Sequence, residues 1–447
     1  MELQIPPEVD AVRQALTRSG YEAYAVGGCV RDSLLGLAPH DWDLTTSARP
    51  EQARRALSAF KVIDTGLKHG TVTALSGKTA VEVTSYRVDG PYSDGRHPDR
   101  VAFTASLKED LARRDFTVNA LAYSPETGVV DCFGGMKDLA EKRIRCVGDA
   151  DRRFREDGLR ILRAMRFSAD LGFSIERETA RSLLRSRALL DRIARERIRA
   201  EFTKLLCGAQ AAAVLRKFRD AAAQFIPELR PCFGFAQRNP HHVYDVWEHT
   251  LHTVDAAPQE PVLRLTMLLH DIGKPLCFSV GRDGVGHFYG HAGKSAELAE
   301  KILRRLRYDN RTVADVATLV RWHGVPLPPD ERFLRRRLGQ LGERNLHRLF
   351  RVQAADTLGK SPADRGRLEE LCRAEAMLDA LLARGDCFSL KSLAVNGNDL
   401  LRAGVPEGAA VGKTLRALLA AVMDGKCPNS RAELLRYAAA LKGSEKA

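Results

Sequence analysis

The stretch YAVGGCVRDSLLGLAPHDWDLTT, residues 24–46, decides the fold of the first part of this chain. A β-type run ends at Val26 and meets Gly27 and Gly28, after which a helix is predicted to begin. Glycines at such a turn let backbone N–H groups approach a phosphate, and a helix N-terminus favours anions. Arg31 adds a fork of donors that suits a triphosphate. A Gly-Gly pair alone indicates only a turn.

Two carboxylates, Asp41 and Asp43, follow Asp32 at a short interval. In a strand, residues i and i+2 point to one face, so we expect both carboxylates to converge. Two acids without a basic partner repel each other unless hard cations such as Mg²⁺ lie between them. Two Mg²⁺ ions can activate an attacking hydroxyl group and stabilise the leaving oxygen in phosphoryl transfer. Glu82 is the expected third acid, and the alternative is a solvated pair on an edge strand.

Composition restricts the class of protein. The chain has 447 residues, 44% hydrophobic and 28% charged, which is typical of a folded protein with two to four domains. It has no apolar run long enough to span a membrane, and its acidic first residues do not read as a signal peptide. Nine cysteines without a C-x-x-C pair indicate reduced thiols and a cytoplasmic location. The net charge of +13 favours polyphosphate or nucleic-acid partners, unless the whole proteome is rich in arginine.

Patterning predicts an α+β chain, with an α/β head followed by an all-helical body. Short β-type runs at 71–75 and 81–86 alternate with turns in the head, and helical apolar spacing dominates from about residue 150. Further polar positions follow in the head, where Arg114, Asp115 and Asn119 occupy a turn before an apolar run. Asp115 is alternatively the cap of a helix.

The motif Glu156-Asp157-x-x-Arg160 is predicted to lie on one helix, so that Asp157 and Arg160 share a face. An ionised aspartate only accepts hydrogen bonds and an arginine only donates them. Cytosine and adenine each present an amine beside a ring-nitrogen acceptor, whereas guanine and uracil present the reverse pattern. The pair therefore matches C and A. The alternative is an intrahelical ion pair worth ~0.3–0.5 kcal/mol.

Four motifs carry a family resemblance: GGCVRD, DWDLTT, RRDFTVNALAY and EDGLRILRAMRF. In order and spacing, over residues 20–206, they resemble the class II tRNA nucleotidyltransferase/poly(A) polymerase family, a branch of the DNA polymerase beta superfamily. The resemblance implies a DNA polymerase beta-like head that adds nucleotides without a template to an RNA 3′ end, most often CCA to tRNA from CTP and ATP. It also implies roles for the residues. The catalytic residues would be Asp41, Asp43 and Glu82, with Mg²⁺ on the first two, and the nucleotide-binding residues would be Gly27, Gly28, Arg31, Arg114, Asp115, Asn119, Asp157, Arg160, Arg163 and Arg166.

Two segments refine this expectation. Residues 87–103 are rich in Gly and Pro and resemble the flexible loop that family members need for the final A addition, although a plain surface loop is the alternative. Residues 195–206 resemble the last motif of the family core. Because of the loop at residues 87–103, full CCA addition is favoured over A-only or poly(A) addition.

The body carries a second set of motifs, in which His270-Asp271 closes an apolar helix. This doublet resembles the HD superfamily of metal-dependent phosphohydrolases. The resemblance implies a divalent metal on four ligands, with His291 and His323 as further candidates: His249, His270, Asp271 and Asp356. Imidazole with carboxylate suits Mn²⁺, Ni²⁺, Fe²⁺ or Zn²⁺.

Four parts are thus predicted: a head at 1–148, a helical neck at 149–225, an HD-type domain at 226–375 and a tRNA-binding tail at 376–447. Two functions of other classes compete with nucleotide addition. One is an HD phosphohydrolase that acts on RNA or nucleotide phosphoesters, as the main or an additional activity. The other is a pure RNA-binding or chaperone-like protein, which would not need paired carboxylates.

Overall fold

The computed structural model describes residues 2–66, 70–90, 100–239, 243–361, 365–384 and 389–444. It divides into two compact units, Met1–Arg230 and Pro231–Ala447. The first unit contains a mixed sheet with helices, and the described part of the second is helical apart from one short hairpin. The predicted α+β order, head before helical body, is confirmed. The finer division into four parts stays a prediction.

A seven-stranded sheet with the order β3-β4-β5-β2-β1-β8-β9 forms the core of the head. Its strands are β1 Ala23–Val26, β2 Asp43–Thr46, β3 Lys61–Gly66, β4 Thr71–Ser76, β5 Thr79–Ser85, β8 Leu121–Ser124 and β9 Gly128–Asp131. Three two-stranded pairs complete the β structure: β6 Arg87–Asp89 with β7 Val101–Phe103, β10 Arg143–Ile144 with β11 Ser174–Ile175, and β12 Ser279–Val280 with β13 Gly286–His287.

The helices of the first unit are α1 Pro7–Arg18, α2 Gly28–Leu34, α3 Pro50–Ala56, α4 Leu107–Ala112, α5 Gly135–Ala140, α6 Ala150–Glu156, α7 Leu159–Leu171, α8 Arg177–Ser186, α9 Arg195–Cys207, α10 Ala211–Lys217 and α11 Arg219–Phe225. Those of the second are α12 Val246–Ala256, α13 Pro261–Leu269, α14 His291–Arg305, α15 Asn310–Trp322, α16 Glu331–Leu358, α17 Gly366–Ala383, α18 Gly397–Arg402, α19 Ala409–Met423 and α20 Arg431–Ser444. None of the described helices is both long and apolar enough to cross a membrane.

One parallel pairing in this sheet determines the geometry of the head. Strand β2 is antiparallel to β1 but parallel to β5, with Asp43 opposite Glu82. Buried apolar side chains, among them Leu44 and Val83, alternate with these acids along β2 and β5. The apolar side of both strands therefore fixes the register that brings the two carboxylates together.

The end of the second unit has its own small core. Leu400, Leu418 and Leu434, on α18, α19 and α20, are fully buried in one apolar cluster. The glycines that punctuate this region are turn residues: Gly404 and Gly408 have φ of 76° and 94°, and a side chain at Gly408 would meet nothing within 4 Å.

Candidate functional site

The glycine turn forms as predicted. Strand β1 ends at Val26, and Gly27, with φ of +86°, caps α2. A Cβ atom at Gly27 would lie 3.0 Å from Nη1 of Arg114, so the guanidinium of Arg114 packs directly on this turn. Both the left-handed backbone and the close approach require glycine at this position. The turn thus brings a cation from the segment after α4 against the first residues of α2.

The carboxylates of the head lie where β2 begins. The strand starts at Asp43, and Asp41 precedes it by two residues rather than lying within it. Desolvation by the surrounding protein raises the pKa of Asp43, the negative charges of Glu82 and Asp41 raise it further, and Arg114 acts in the opposite direction. We call Asp41, Asp43 and Glu82 the carboxylate site. Its excess negative charge favours a bound cation.

Four of the predicted nucleotide-binding residues form a connected hydrogen-bonded chain. Arg31 donates from Nη1 to Oδ1 of Asn119 at 2.6 Å, and Asn119 donates to Asp115 at 3.1 Å. Arg163 completes the chain by donating to the second oxygen of Asp115 at 2.8 Å. Burial alone would raise the pKa of Asp115, but Arg163, Asn119 and Arg160 outweigh it and lower the pKa to about 2. Asp115 therefore stays ionised and anchors this chain.

A single aromatic ring gathers three of the predicted arginines. The guanidinium carbons of Arg31, Arg163 and Arg166 lie 5.0, 5.3 and 4.0 Å from the ring centroid of Phe167, which is buried on α7. Cation–π contacts of this kind hold a guanidinium in place. Arg166 also pairs with Glu201 of α9 at 2.7 Å. Sequence reasoning missed both Phe167 and Glu201, although each lies inside a motif that it had singled out.

The base-selecting motif is arranged differently from the prediction. Helix α6 ends at Glu156, Asp157 is extended with ψ of 106°, and α7 begins at Leu159. The prediction that Asp157 and Arg160 share one helical face is therefore wrong. A side chain on Gly158 would lie 3.0 Å from Cβ of Leu189, so the chain turns sharply here against a neighbouring segment.

The two predicted base-selecting side chains have separate partners. Asp157 accepts from Arg197 of α9 at 2.7 Å and from the backbone N–H of Leu159 at 3.0 Å. Arg160 donates to Glu156 at 2.7 Å and to the backbone oxygen of Arg113 at 3.1 Å. Sequence reasoning missed Arg197 as the partner of Asp157. The residue lies in the motif at residues 195–206, and that motif could have drawn attention to it.

The loop predicted at residues 87–103 lies largely outside the described residues. Its two ends, β6 and β7, pair in antiparallel register from Arg87↔Phe103 to Asp89↔Val101, and residues 91–99 between them are not described. A cleft of about 270 Å³ lies beside β6 and contains Asp89, Arg113 and Glu156 in its wall. The expected role of the loop stays a prediction.

The second unit brings the predicted histidine motifs together. We call six residues the histidine site: His249 of α12, His270 and Asp271 after α13, His291 of α14, His323 after α15 and Asp356 of α16. In the described part of the chain, the groups of three His, Cys, Asp or Glu side chains with ligand atoms within 4.8 Å of one another both lie here. One is His249, His270 and Asp271, and the other is Asp271, His291 and His323.

Asp271 lies at the centre of the histidine site and faces a different histidine pair with each oxygen. Its Oδ2 lies 3.3 and 3.1 Å from Nε2 of His249 and His270. Its Oδ1 lies 3.5 and 3.7 Å from Nε2 of His291 and His323, and this buried oxygen accepts no hydrogen bond from the described residues. Burial would raise the pKa of Asp271, but His270 and Lys274 hold it well below its usual value.

In each of the four histidines, the hydrogen bond made by Nδ1 fixes the orientation of the ring. Each Nδ1 contacts a backbone carbonyl oxygen, at 3.0 Å for His249 and 2.7 Å for His270, His291 and His323. A carbonyl oxygen only accepts, so Nδ1 carries a proton, and in the neutral ring Nε2 is the nitrogen that can bind a metal. Each of the four Nε2 atoms lies within 3.7 Å of an oxygen of Asp271, and the carbonyl partner orients each ring as in metal-binding imidazoles.

Three family profiles match successive parts of the chain. The Poly A polymerase head domain matches residues 23–145, the probable RNA and SrmB-binding site of polymerase A matches 172–233, and the putative tRNA nucleotidyltransferase domain 2 matches 288–438. The first contains the carboxylate site, and the second contains the whole of α9.

Named relatives agree with these profiles. A CCA-adding enzyme of Lactobacillus delbrueckii subsp. bulgaricus is 33% identical over 96% of this chain and 96% of that protein. One of Leuconostoc mesenteroides is 46% identical, over 50% of this chain and 56% of its own length. The crystal structure of the Bacillus stearothermophilus CCA-adding enzyme in complex with CTP has a TM-score of 0.74 and 30% identity, covering 99% of both chains. The chain therefore belongs to the family of CCA-adding enzymes, within the class II tRNA nucleotidyltransferases and poly(A) polymerases.

Proposed function

We propose that the chain adds C, C and A in turn to the 3′ end of tRNA, with CTP and ATP as substrates. The observation that carries the proposal is the register of Asp43 opposite Glu82, beside the glycine turn, in a chain of this family. In each step the 3′-hydroxyl oxygen of the RNA bonds to the α-phosphorus. The bond from that phosphorus to the β-phosphate oxygen breaks, pyrophosphate leaves, and the hydroxyl proton passes to solvent.

The residues of the carboxylate site fit Mg²⁺. Asp41 and Asp43 supply the hard oxygen ligands that this ion prefers, and Asp43, whose pKa is raised first by burial and then by the charges of Glu82 and Asp41, lies where a cation would offset those charges. When bound, Mg²⁺ ions stabilise the charge that develops on the attacking and leaving oxygens. Arg31 and Arg114, held by Asn119 and by the glycine turn, supply positive charge for the triphosphate.

Base selection follows from Asp157 and Arg160. An ionised Asp157 offers an acceptor for the exocyclic amine of cytosine or adenine, and Arg160 offers a donor for the ring nitrogen. Arg197 holds Asp157 by donating to its carboxylate, and Glu156 holds Arg160 by accepting from its guanidinium. A base with the reverse pattern would leave donor facing donor and acceptor facing acceptor, which is the expected basis for excluding G and U.

An incorporation assay tests the main proposal. The protein is incubated with Mg²⁺, tRNA that lacks its 3′ CCA, and each labelled nucleotide in turn. We expect two C residues and then one A with wild type, and none with Asp43→Ala. Asp64→Ala is the matched control, because Asp64 is an exposed acid of β3 in the same sheet. Incorporation of A without C would favour an A-adding enzyme, and long A tails a poly(A) polymerase.

A second function, hydrolysis of RNA or nucleotide phosphoesters at the histidine site, is favoured by Asp271. Its buried Oδ1 has no hydrogen-bond partner among the described residues, and the Nε2 atoms of four histidines lie 3.1 to 3.7 Å from its two oxygens. We propose that Mn²⁺, Ni²⁺, Fe²⁺ or Zn²⁺ binds there as in the HD superfamily, with Asp356 as a further ligand. Bound there, a divalent ion would polarise a phosphoryl oxygen and favour attack by water. Water then adds to phosphorus, the P–O ester bond breaks, and the leaving oxygen gains the proton.

Release of phosphate or opening of a cyclic phosphate tests this second function. We expect activity with wild type in Mn²⁺ or Ni²⁺ and none with His270→Ala. His347→Ala is the matched control, because His347 lies on α16 in the same unit and pairs with Glu375 and Asp379. Equal activity in all three proteins would point to a contaminant and contradict the proposal.

We also propose that the protein is located in the cytoplasm and that its tail, residues 376–447, contacts tRNA.

A further inference from the structure

An exposed aromatic stack lies beside the histidine site. Tyr289 is 77% exposed, the largest value among the large apolar and aromatic side chains of the described residues. Its ring stacks on His287 with centroids 5.3 Å apart and an angle of 15° between the planes. Tyr289 precedes the candidate ligand His291 by two residues. One face of the Tyr289 ring thus packs against His287, and the other face is open to solvent.

The segment that carries this stack is tightly anchored. A Cβ atom at Gly286 would lie 2.2 Å from the backbone oxygen of Gln237, so β13 packs backbone to backbone against residues 237–239. The N–H of Gly286 donates to Arg238 at 2.7 Å, and Gln237 accepts from Lys274 at 2.7 Å. Lys274 in turn pairs with Asp271 at 2.7 Å. The stack is therefore connected to the centre of the histidine site by a short run of direct contacts.

A cleft of about 250 Å³ joins the stack to the histidine site. Its wall includes Asp271, His291 and Lys360 of the histidine site and its surroundings, together with His287 and Tyr289 of the stack. Pockets that bury a whole ligand have roughly 300–1,000 Å³, so a nucleotide whose phosphate reached Asp271 would keep part of itself at the rim. A flat, apolar face at that rim is what an unpaired base requires, because bases stack on aromatic side chains regardless of sequence.

We propose that Tyr289, supported by His287, is a base-stacking platform, and that the histidine site binds the terminal nucleotide of an RNA or a free nucleotide with a ribose phosphate. The phosphate would lie at the metal position beside Asp271 and the base on Tyr289. This inference rests on the second proposed function for the chemistry, but the platform itself is a binding site and is tested by binding as well as by turnover.

The binding arm uses calorimetry with adenosine 2′-monophosphate, in the presence of Mg²⁺ and saturating CTP so that the head is already filled. We expect Tyr289→Ala to weaken binding on the order of tenfold, within the range for loss of one base stack. Tyr289→Phe keeps the ring and should bind as wild type does. Tyr244→Ala is the matched control, since Tyr244 also stacks on a histidine, His252, with centroids 4.2 Å apart. An unchanged affinity in Tyr289→Ala overturns the inference.

The turnover arm compares adenosine 2′,3′-cyclic phosphate with the base-free glycerol cyclic phosphate, in Mn²⁺. We expect Tyr289→Ala to raise KM about tenfold for the nucleotide alone, with kcat/KM for the base-free ester unchanged. An equal loss on both substrates would mean that Tyr289 supports the site rather than the base, and would contradict the platform. If wild type hydrolyses neither substrate, the proposed hydrolase fails, and the binding arm still decides the platform.

Discussion

Arg197 of α9 donates to both carboxylate oxygens of Asp157, at 2.7 Å to Oδ2 and 3.4 Å to Oδ1. The two residues are 40 positions apart, and Asp157 lies in an extended link between two helices rather than on one. Arg197 and the backbone N–H of Leu159 together fix the direction of this carboxylate. Arg197 therefore helps to determine which lone pairs of Asp157 remain available to a base.

Arg197→Ala should relax the choice of base. We expect the ratio of kcat/KM for CTP over UTP to fall about tenfold, because a carboxylate that keeps the N–H of Leu159 but loses Arg197 is oriented less firmly and distinguishes an amine from a carbonyl group less well. Arg197→Lys should restore part of the ratio. Lys204→Ala, an exposed change on the same helix, should leave it unchanged. An equal loss of kcat/KM for both nucleotides would show that Arg197 only stabilises the fold.

Gly27→Ala should damage triphosphate binding more than the fold. The substitution strains a φ of +86° and brings Cβ to 3.0 Å from Nη1 of Arg114. Gly20→Ala is a close control, since Gly20 also has a φ of +86° but nothing within 4 Å. Both variants should lose about 1 kcal/mol of stability in urea unfolding, whereas KM for CTP should rise severalfold in Gly27→Ala alone. Equal KM values in the two variants would contradict this role of the turn.

The features that could be predicted from sequence are local ones. The glycine turn and Asp43 at the start of β2 depend on alternation and on chain reversal within residues 24–46, so their positions were predicted closely, whereas Asp41 lies two residues before the strand. Glu82 was identified because β5 is a short strand of alternating polarity. The His270-Asp271 doublet likewise closes an apolar helix. In each case the neighbours that determine the conformation lie within a few positions along the chain.

The features that could not be predicted depend on distant packing. Helical spacing placed Asp157 and Arg160 on one face, but α6 ends at Glu156 and α7 begins at Leu159, with Gly158 packed closely against Leu189. The partner of Asp157 is on another helix, and the ring shared by Arg31, Arg163 and Arg166 belongs to α7. Hydrophobic periodicity carries no information about such contacts, because it reports only which side of a helix is buried.

The depressed pKa of Asp115 predicts acid lability of the first unit. Its folded-state pKa of about 2 lies below the ordinary value of 3.8, so its contribution to stability is fully present above that ordinary value. The contribution is lost as the pH falls from about 4 toward about 2. Asp115→Asn should cost about 2 kcal/mol at neutral pH and flatten this acid dependence. Urea unfolding followed by Trp42 fluorescence, in a Trp247→Phe, Trp322→Phe background, measures it. Parallel pH profiles for the Asp115→Asn variant and its parent would contradict the assignment.

Metal binding at the histidine site should distinguish two positions that share one ligand. Because Asp271 directs one oxygen to His249 and His270 and the other to His291 and His323, we expect two Mn²⁺ or Ni²⁺ ions there. His249→Ala and His323→Ala should each lose one ion, and Asp271→Ala should lose both. Elemental analysis after dialysis measures the ratio, with Asp41→Ala included in every protein to remove the contribution of the carboxylate site. Loss of both ions from His323→Ala would instead favour a single ion held by all of these ligands.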